Sequence, residues 1–224
     1  MKTLGVLGGM GPAATLDFLA RLQAATPAGR DQDHLRVLVD INPQVPDRNT
    51  GDAEPGPVLA AMARGLRDGG AQVLAIACNT AHAYAEEVVA ASGLPLIDMI
   101  AVACEAARDT GATGVGVLGT PLAVDLYSAR LSAMGLAPVA LSPAEQTRFM
   151  ALLYRIKGGD AGAEVRDGMA AVARSLAGAQ AVIAGCTEVP LALAADALTV
   201  PLINAGQTLA DRCVAVCQGQ MPPA

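Results

Sequence analysis

A chain of 224 residues, 53% of them hydrophobic, carries enough apolar mass for one large core or two small ones. Its net charge of −6 and its poverty in aromatics (two Phe, three Tyr, no Trp) exclude the basic, ring-stacking surface that nucleic acid requires. No apolar run reaches the roughly 18 residues of a membrane span, "MKTLGVLGGMGP" breaks into Gly and Pro too early for an export segment, and none of the five cysteines form a CxxC pair, so the expectation is a reduced, cytoplasmic chain whose partner is a small molecule.

In chain order, short β-like runs alternate with Ala-rich stretches of helical length. "TLGVLG" precedes a helix over 12–25, "LRVLVDI" one over 56–68, "AQVLAIA" one over 81–92 and "LPLIDM" one over 99–109. The alternation resumes with "GVGVLG" before 121–134, "LAPVAL" before 143–157 and 160–177, "AQAVIAG" before 188–196, and "VPLIN" before 205–218. Apolar strands that do not alternate with polar residues, separated by helices, belong to a parallel sheet covered on both faces. The expected fold class is α/β.

Three blocks of this series recur in the same order. Gly5-Val6-Leu7-Gly8 returns as Gly116-Val117-Leu118-Gly119 at an offset of 111, Ala71-Gln72 with Cys78 as Ala179-Gln180 with Cys186 at 108, and Pro95-Leu96-Ile97-Asp98 as Pro201-Leu202-Ile203-Asn204 at 106. Such ordered repetition predicts two similar α/β halves. The first would run over 1–98, completed by a helix within 205–224, and the second over 99–204. Ligands of open α/β sheets bind outside the carboxyl ends of the strands, and Cys78 and Cys186 both fall at that edge. Two halves facing each other through their strand ends would enclose one cleft with a thiol on either wall.

A thiol where a strand feeds a helix meets backbone N–H groups and the positive end of the helix dipole, which favour the thiolate. Asn79-Thr80 and Thr187-Glu188 supply the polar caps of the two turns. Two thiolates in one closed cleft would repel, so the pair is expected to titrate as one thiolate and one thiol. Such a pair inverts a carbon centre: one sulfur takes the Cα proton from one face and the other delivers a proton to the opposite face. Cys104, Cys213 and Cys217 lie on Ala-rich helical segments with no polar turn after them and read as core residues, while His34 and His82 read as structural. Two histidines and no clustered Cys/His spacing leave no metal site.

Around the thiols stand groups suited to anions. Gly8-Gly9-Met10-Gly11-Pro12 follows a strand and opens a helix, so the backbone at Met10 and Gly11 can hold a carboxylate; it is not GxGxxG, which disfavours a dinucleotide. "NPQVPDRN" is a Pro-stiffened loop carrying Asp47, Arg48 and Asn49, and the Arg48 guanidinium can grip a carboxylate through its planar fork. Lys157 stands in the turn "YRIKGGD".

"LGVLGGMGP", "INPQVPDRN", "ACNTAH", "IKGGD" and "AGCTEVPL", in this order over essentially the whole chain, resemble the cofactor-independent aspartate/glutamate racemase family, aspartate racemases above all. The resemblance implies two flavodoxin-like parallel-sheet halves related by a pseudo-twofold with the active site in the cleft between them. It also implies no pyridoxal phosphate, no metal and a homodimer. Cys78 and Cys186 become the acid/base pair, and Asp47 and Glu188 the acidic neighbours that orient the thiols or tune proton transfer. Lys157 becomes the ligand of the substrate side-chain carboxylate, with Met10, Gly11, Arg48, Asn49, Asn79, Thr80 and Thr187 lining the substrate. Arylmalonate decarboxylases keep one of the two cysteines, so the presence of both points to racemisation. One departure is the loop after Arg48, where Asn49-Thr50-Gly51 leads into a short "DAEPGP" in place of Thr and a longer insertion. That loop reads the substrate side chain, so a racemase of glutamate or another amino acid stays open beside aspartate. A maleate-type isomerase with one nucleophilic cysteine and a non-catalytic amino-acid-binding protein are further alternatives.

Overall fold

The structure, a computed structural model, describes residues 1–51 and 53–223. Asp52, in the loop after Arg48, and Ala224, at the end of the expected C-terminal segment, lie outside the described residues. In chain order the elements begin with β1 (Leu4–Gly8), α1 (Pro12–Ala25), β2 (Val37–Ile41), α2 (Gly56–Asp68), β3 (Val73–Ile76), α3 (Ala85–Ser92), β4 (Leu96–Ile97) and α4 (Met99–Asp109). They continue with β5 (Gly114–Val117), α5 (Pro121–Ala133), β6 (Ala137–Val139), α6 (Pro143–Lys157), α7 (Ala163–Arg174), β7 (Ala181–Ala184), β8 (Leu202–Asn204) and α8 (Ala205–Cys217). The chain divides into two compact units, Met1–Val102 with Gly206–Ala224, and Ala103–Ala205.

The first unit holds a four-stranded parallel sheet in the order β2-β1-β3-β4. Its central strands β1 and β3 are buried along their whole length, which is why "LGVLG" and "VLAI" carry no polar residue. On α2, Leu59, Met62, Ala63 and Leu66 are buried at a spacing of three and four, the stripe an amphipathic helix lays on a sheet. Those residues pack with Leu7, Leu74 and Ile76 into one core. Leu7 pairs with Asp40 on one side and Ile76 on the other, so the carboxyl ends of β1, β2 and β3 lie level. The C-terminal helix belongs here: Lys2 N–H donates to the Cys217 carbonyl at 2.8 Å, and Leu209, Cys213 and Val216 of α8 are buried.

The second unit repeats the connectivity with a parallel sheet in the order β6-β5-β7-β8. Phe149, Leu152 and Leu153 of α6 and Val165 and Met169 of α7 pack with Leu118 and Val182 as its core. α6 starts cleanly because the Ser142 hydroxyl accepts the Glu145 N–H at 3.3 Å and Pro143 occupies the first turn.

Two expected helices come out differently. The segment 188–196 forms two 3₁₀ turns, Val189–Leu191 and Ala195–Ala197. Glu188, placed to cap a helix there, instead turns its carboxylate to the Cys186 and Thr187 side chains and leaves the backbone uncapped. The segment 81–92 opens as a 3₁₀ turn, Thr80–Tyr84, and becomes α-helical from Ala85.

Candidate active site

In the first unit the ladder extends one residue past β3, where Ala77 N–H donates to the Leu7 carbonyl at 2.9 Å. Cys78 is therefore the first residue free of the sheet, on a rigid mount. Its sulfur is nearly buried, 3.8 Å from Arg48 Nη2 and 3.5 Å from the Thr80 hydroxyl. Arg48 is held there by two carbonyls: Nη1 donates to Pro46 at 2.9 Å and Nη2 to Met10 at 3.3 Å. Its Nε is buried with no hydrogen-bond partner, a donor directed at nothing the chain supplies. Asp47 is exposed and serves the loop: its Oδ1 accepts the backbone N–H of Asn49 at 2.9 Å and the Asn49 side-chain amide at 2.8 Å. Asn79 and Thr80 are buried beside the thiol.

The glycine-rich turn after β1 is fixed by a residue that the sequence reading passed over. Thr15 Oγ1 accepts the Gly9 N–H and donates to the Gly11 carbonyl, both at 2.9 Å. Gly9 has φ +93°, and a Cβ there would collide with the Asn42 backbone, so only glycine fits. Met10 is buried, and its carbonyl is one of the two that Arg48 grips. The signal available in the sequence was a hydroxyl four residues after Gly11, on the first turn of α1.

In the second unit Cys186 stands two residues past β7. Its thiol donates to Glu188 Oε2 at 2.9 Å, and the Thr187 hydroxyl donates to the same oxygen at 3.2 Å. Glu188 is buried, with Lys157 Nζ 3.7 Å from its Oε1. Burial pushes the Cys186 thiol well above the usual range; the Glu188 charge and its hydrogen bond push the same way, against a smaller opposing pull from Lys157. The turn that presents Lys157 is stapled. Arg155 Nε donates to Asp160 Oδ2 at 2.9 Å and its Nη2 to Glu164 at 3.0 Å, while Asp160 Oδ1 accepts the Gly162 N–H at 3.0 Å. Gly159, at φ +91°, lets the chain reverse there.

Thr120 was also missed. It follows β5 where Gly9 follows β1 in the repeat, and its hydroxyl is buried without a hydrogen-bond partner. The neighbouring Gly119 carbonyl accepts from Gln146 Nε2 at 3.0 Å. The repeat offset of 111 that matched Gly5 to Gly116 was enough to single out this position.

The first unit thus gathers Met10, Gly11, Arg48, Asn79 and Thr80 at the strand-end edge that carries Cys78, with Asp47 and Asn49 on the adjoining loop. The second gathers Lys157, Thr187 and Glu188 around Cys186. Cys104, Cys213 and Cys217 are buried and form no disulfide. Among the described residues no group of three or more His, Cys, Asp or Glu side chains is arranged to hold a metal ion, and no helix is long and apolar enough to cross a membrane.

A broad specificity amino-acid racemase of Bacillus subtilis (strain 168), RacX, is 30% identical over 103 residues, which make up 43% of this chain and 45% of that protein, so the match spans less than half of the relative's length. The aspartate racemase of Picrophilus torridus has a TM-score of 0.86 at 26% identity, with 98% of this chain and 95% of that one covered. A glutamate racemase from Francisella tularensis subsp. tularensis SCHU S4, solved in complex with D-glutamate, shares the fold at a TM-score of 0.72 and 20% identity, over 97% of this chain and 81% of that one. The profile of the Asp/Glu/Hydantoin racemase family runs over residues 7–213, and the chain belongs to that family.

Proposed function

We propose that the chain is an amino-acid racemase working without a cofactor, with aspartate as substrate and Cys78 and Cys186 as its acid/base pair. The observation that carries this reading is the contrast between two thiols at matching strand ends. Cys78 has a guanidinium at 3.8 Å, a partner for a sulfur anion, and Cys186 keeps its proton and donates a hydrogen bond to a buried carboxylate at 2.9 Å. In the direction this arrangement favours, the Cys78 thiolate takes the Cα proton from one face of the substrate. The electron pair spreads onto the α-carboxylate, and the Cys186 thiol protonates the opposite face. One proton is taken and one given. The enzyme is left with a Cys78 thiol and a Cys186 thiolate, the form that accepts the mirror-image substrate.

Charge spreading onto a carboxylate needs cations in place before the reaction starts. Arg48, with its unpartnered Nε, is suited to one substrate carboxylate, and Lys157 brings a second positive charge, which fits a dianionic amino acid. The likeness to the Picrophilus torridus aspartate racemase supports aspartate, and that to the Bacillus subtilis protein makes a wider panel worth measuring.

The test follows optical rotation over a panel of L- and D-amino acids with no added cofactor. Aspartate is expected to lose its rotation, with deuterium from the solvent entering Cα of the inverted product, and Cys78→Ser and Cys186→Ser are each expected to remove the activity while leaving the fold intact. Substantial racemisation by either variant sinks the two-thiol mechanism. A covalent substrate adduct on one cysteine would support a nucleophilic isomerase instead.

A further inference from the structure

His82 stands four residues after Cys78 and is buried, with its side chain 3% exposed. Its Nδ1 lies 2.9 Å from the Cys78 carbonyl oxygen, and its Nε2 lies 3.1 Å from the backbone nitrogen of Met99, the first residue of α4. The Met99 nitrogen carries a hydrogen and can only donate, so Nε2 must offer a lone pair. A carbonyl oxygen can only accept, so Nδ1 must carry the hydrogen. Both bonds are made at once by a single species, the neutral Nδ1–H tautomer.

The alternative is an imidazolium paired with Asp98, whose Oδ1 is 3.9 Å from Nε2. It fails on geometry, because a second ring proton would point at the Met99 N–H. Asp98 Oδ1 is also already engaged, accepting the Ile100 and Ala101 N–H groups at 2.8 and 3.2 Å. Burial holds the His82 pKa below its ordinary value against the smaller pull of Asp98, in agreement with the neutral ring.

We infer that His82 is a positioning residue for Cys78, a neutral staple that ties the carbonyl of the cysteine to the first N–H of α4 and so fixes the direction in which the sulfur projects. The sulfur's neighbours come from separate segments, Arg48 from the loop after β2 and Thr80 from the turn itself, so a rotation about the Cys78 N–Cα bond, which moves the carbonyl and the sulfur together, would carry the sulfur away from both. The bond to α4 ties that carbonyl to the far side of β4. The role in proton transfer rests on the racemase reading, whereas the effect on the thiol does not.

Three variants separate the two bonds. Asn in His82→Asn places an amide N–H near the Nδ1 position and keeps the bond to Cys78. Gln in His82→Gln reaches the Nε2 position and keeps only the bond to Met99. His82→Leu keeps neither. The probe is iodoacetamide, with modification of Cys78 and Cys186 followed separately by peptide mass spectrometry from pH 6 to 10, alongside kcat and KM on aspartate. His82→Leu and His82→Gln are expected to slow Cys78 alkylation near pH 7 by about tenfold, as expected when a sulfur moves away from the cation beside it. His82→Asn, which keeps the bond to the Cys78 carbonyl and loses the tie to α4, should lie between the parent and those two variants, Cys186 should be unchanged in all three, and the loss in turnover should fall on kcat.

If His82→Leu does not fold, the comparison of Asn with Gln still decides. A Cys78 profile that is the same in the Asn and Gln variants overturns the inference, as does a parallel change at Cys186, which would mean general loosening. If the expected alkylation order appears in a chain that racemises nothing, the staple stands and the racemase reading falls. If racemisation is present and the order absent, the staple alone falls.

Discussion

Replacing Glu188 by Gln removes the negative charge in front of Cys186 and keeps the side chain's volume. Two unit charges separated by the 2.9 Å between Cys186 Sγ and Glu188 Oε2 repel by about 6 kcal/mol at an effective dielectric of 20. The Lys157 ammonium, 3.7 Å from the same carboxylate, offsets much of this. If roughly a third survives, losing the charge stabilises the Cys186 thiolate by about 2 kcal/mol, a rise of about 30-fold in thiolate at fixed pH. A less basic thiolate is also a weaker nucleophile, with a sensitivity of about one half, so the net gain in alkylation rate is about fivefold. The assay is iodoacetamide modification in a Cys78→Ser background, read on the Cys186 peptide. Racemisation by the Glu188→Gln variant of the parent chain should fall by about 10²-fold, because the charged acceptor that orients the thiol is replaced by a neutral amide oxygen, a weaker one. The ratio of kcat/KM for the two enantiomers must stay at one, since mirror-image substrates have equal free energies. Alkylation of Cys186 at an unchanged or lower rate in the Gln variant would refute the reasoning, for it would mean that burial alone sets the thiol's reactivity.

Two further outcomes follow from buried or stapled groups. The Cys186, Cys213 and Cys217 thiols are held above their ordinary value of 9.0, chiefly by burial. Above pH 9 the unfolded chain therefore gives up protons that the folded chain keeps, so their contribution is complete below pH 9 and is lost as pH rises, by up to about 1.4 kcal/mol per pH unit for each thiol. Urea midpoints between pH 8 and 11 should fall, and Cys213→Ala should make the decline shallower; an identical slope would refute the assignment. In the turn carrying Lys157, Asp160→Ala removes both the Gly162 cap and the Arg155 pair, whereas Asp160→Asn keeps an oxygen for the cap. The Ala variant should raise KM for aspartate several-fold with Tm within about 2 °C of the parent, and the Asn variant should lie between them. Equal KM values in all three would detach the turn from substrate binding.

The strands were legible because burial on both faces forces an unbroken apolar run, as in "VLAIAC" and "AVIAGC". The positions of Cys78 and Cys186 were legible because the repeat preserves their distance from those runs. The partners of the thiols were not legible. Asp47 and Glu188 look alike in sequence as acidic residues near a cysteine, yet Asp47 closes its own loop onto Asn49 while Glu188 is buried against Cys186. Which of them turns inward depends on backbone geometry at the turn, and composition does not carry that information. Thr15 escaped, and His82 was legible only as a structural residue, for a related reason: each acts by bonding to main-chain atoms of another turn, a role that spacing alone does not distinguish from ordinary packing.

The residue two positions after each cysteine marks where the repeat diverged: Thr80 at 3.5 Å from Cys78, Glu188 at 2.9 Å from Cys186. If that position sets which thiol is the base at rest, exchanging the two residues should exchange the roles. In Glu188→Thr, Cys186 loses its carboxylate and should approach Cys78 in alkylation rate. Adding Thr80→Glu places a carboxylate at Cys78 that competes for Arg48, so Cys78 should then become the slower of the two. Thr80 is buried, and a larger acid there risks the fold, so the single Glu188→Thr variant carries the argument if the double variant fails to fold. Persistence of the parent's order of reactivity in Glu188→Thr would place the asymmetry in Arg48 and the sheet edge instead of in the turn. The two halves would then differ through what surrounds the repeat and not through the repeat itself.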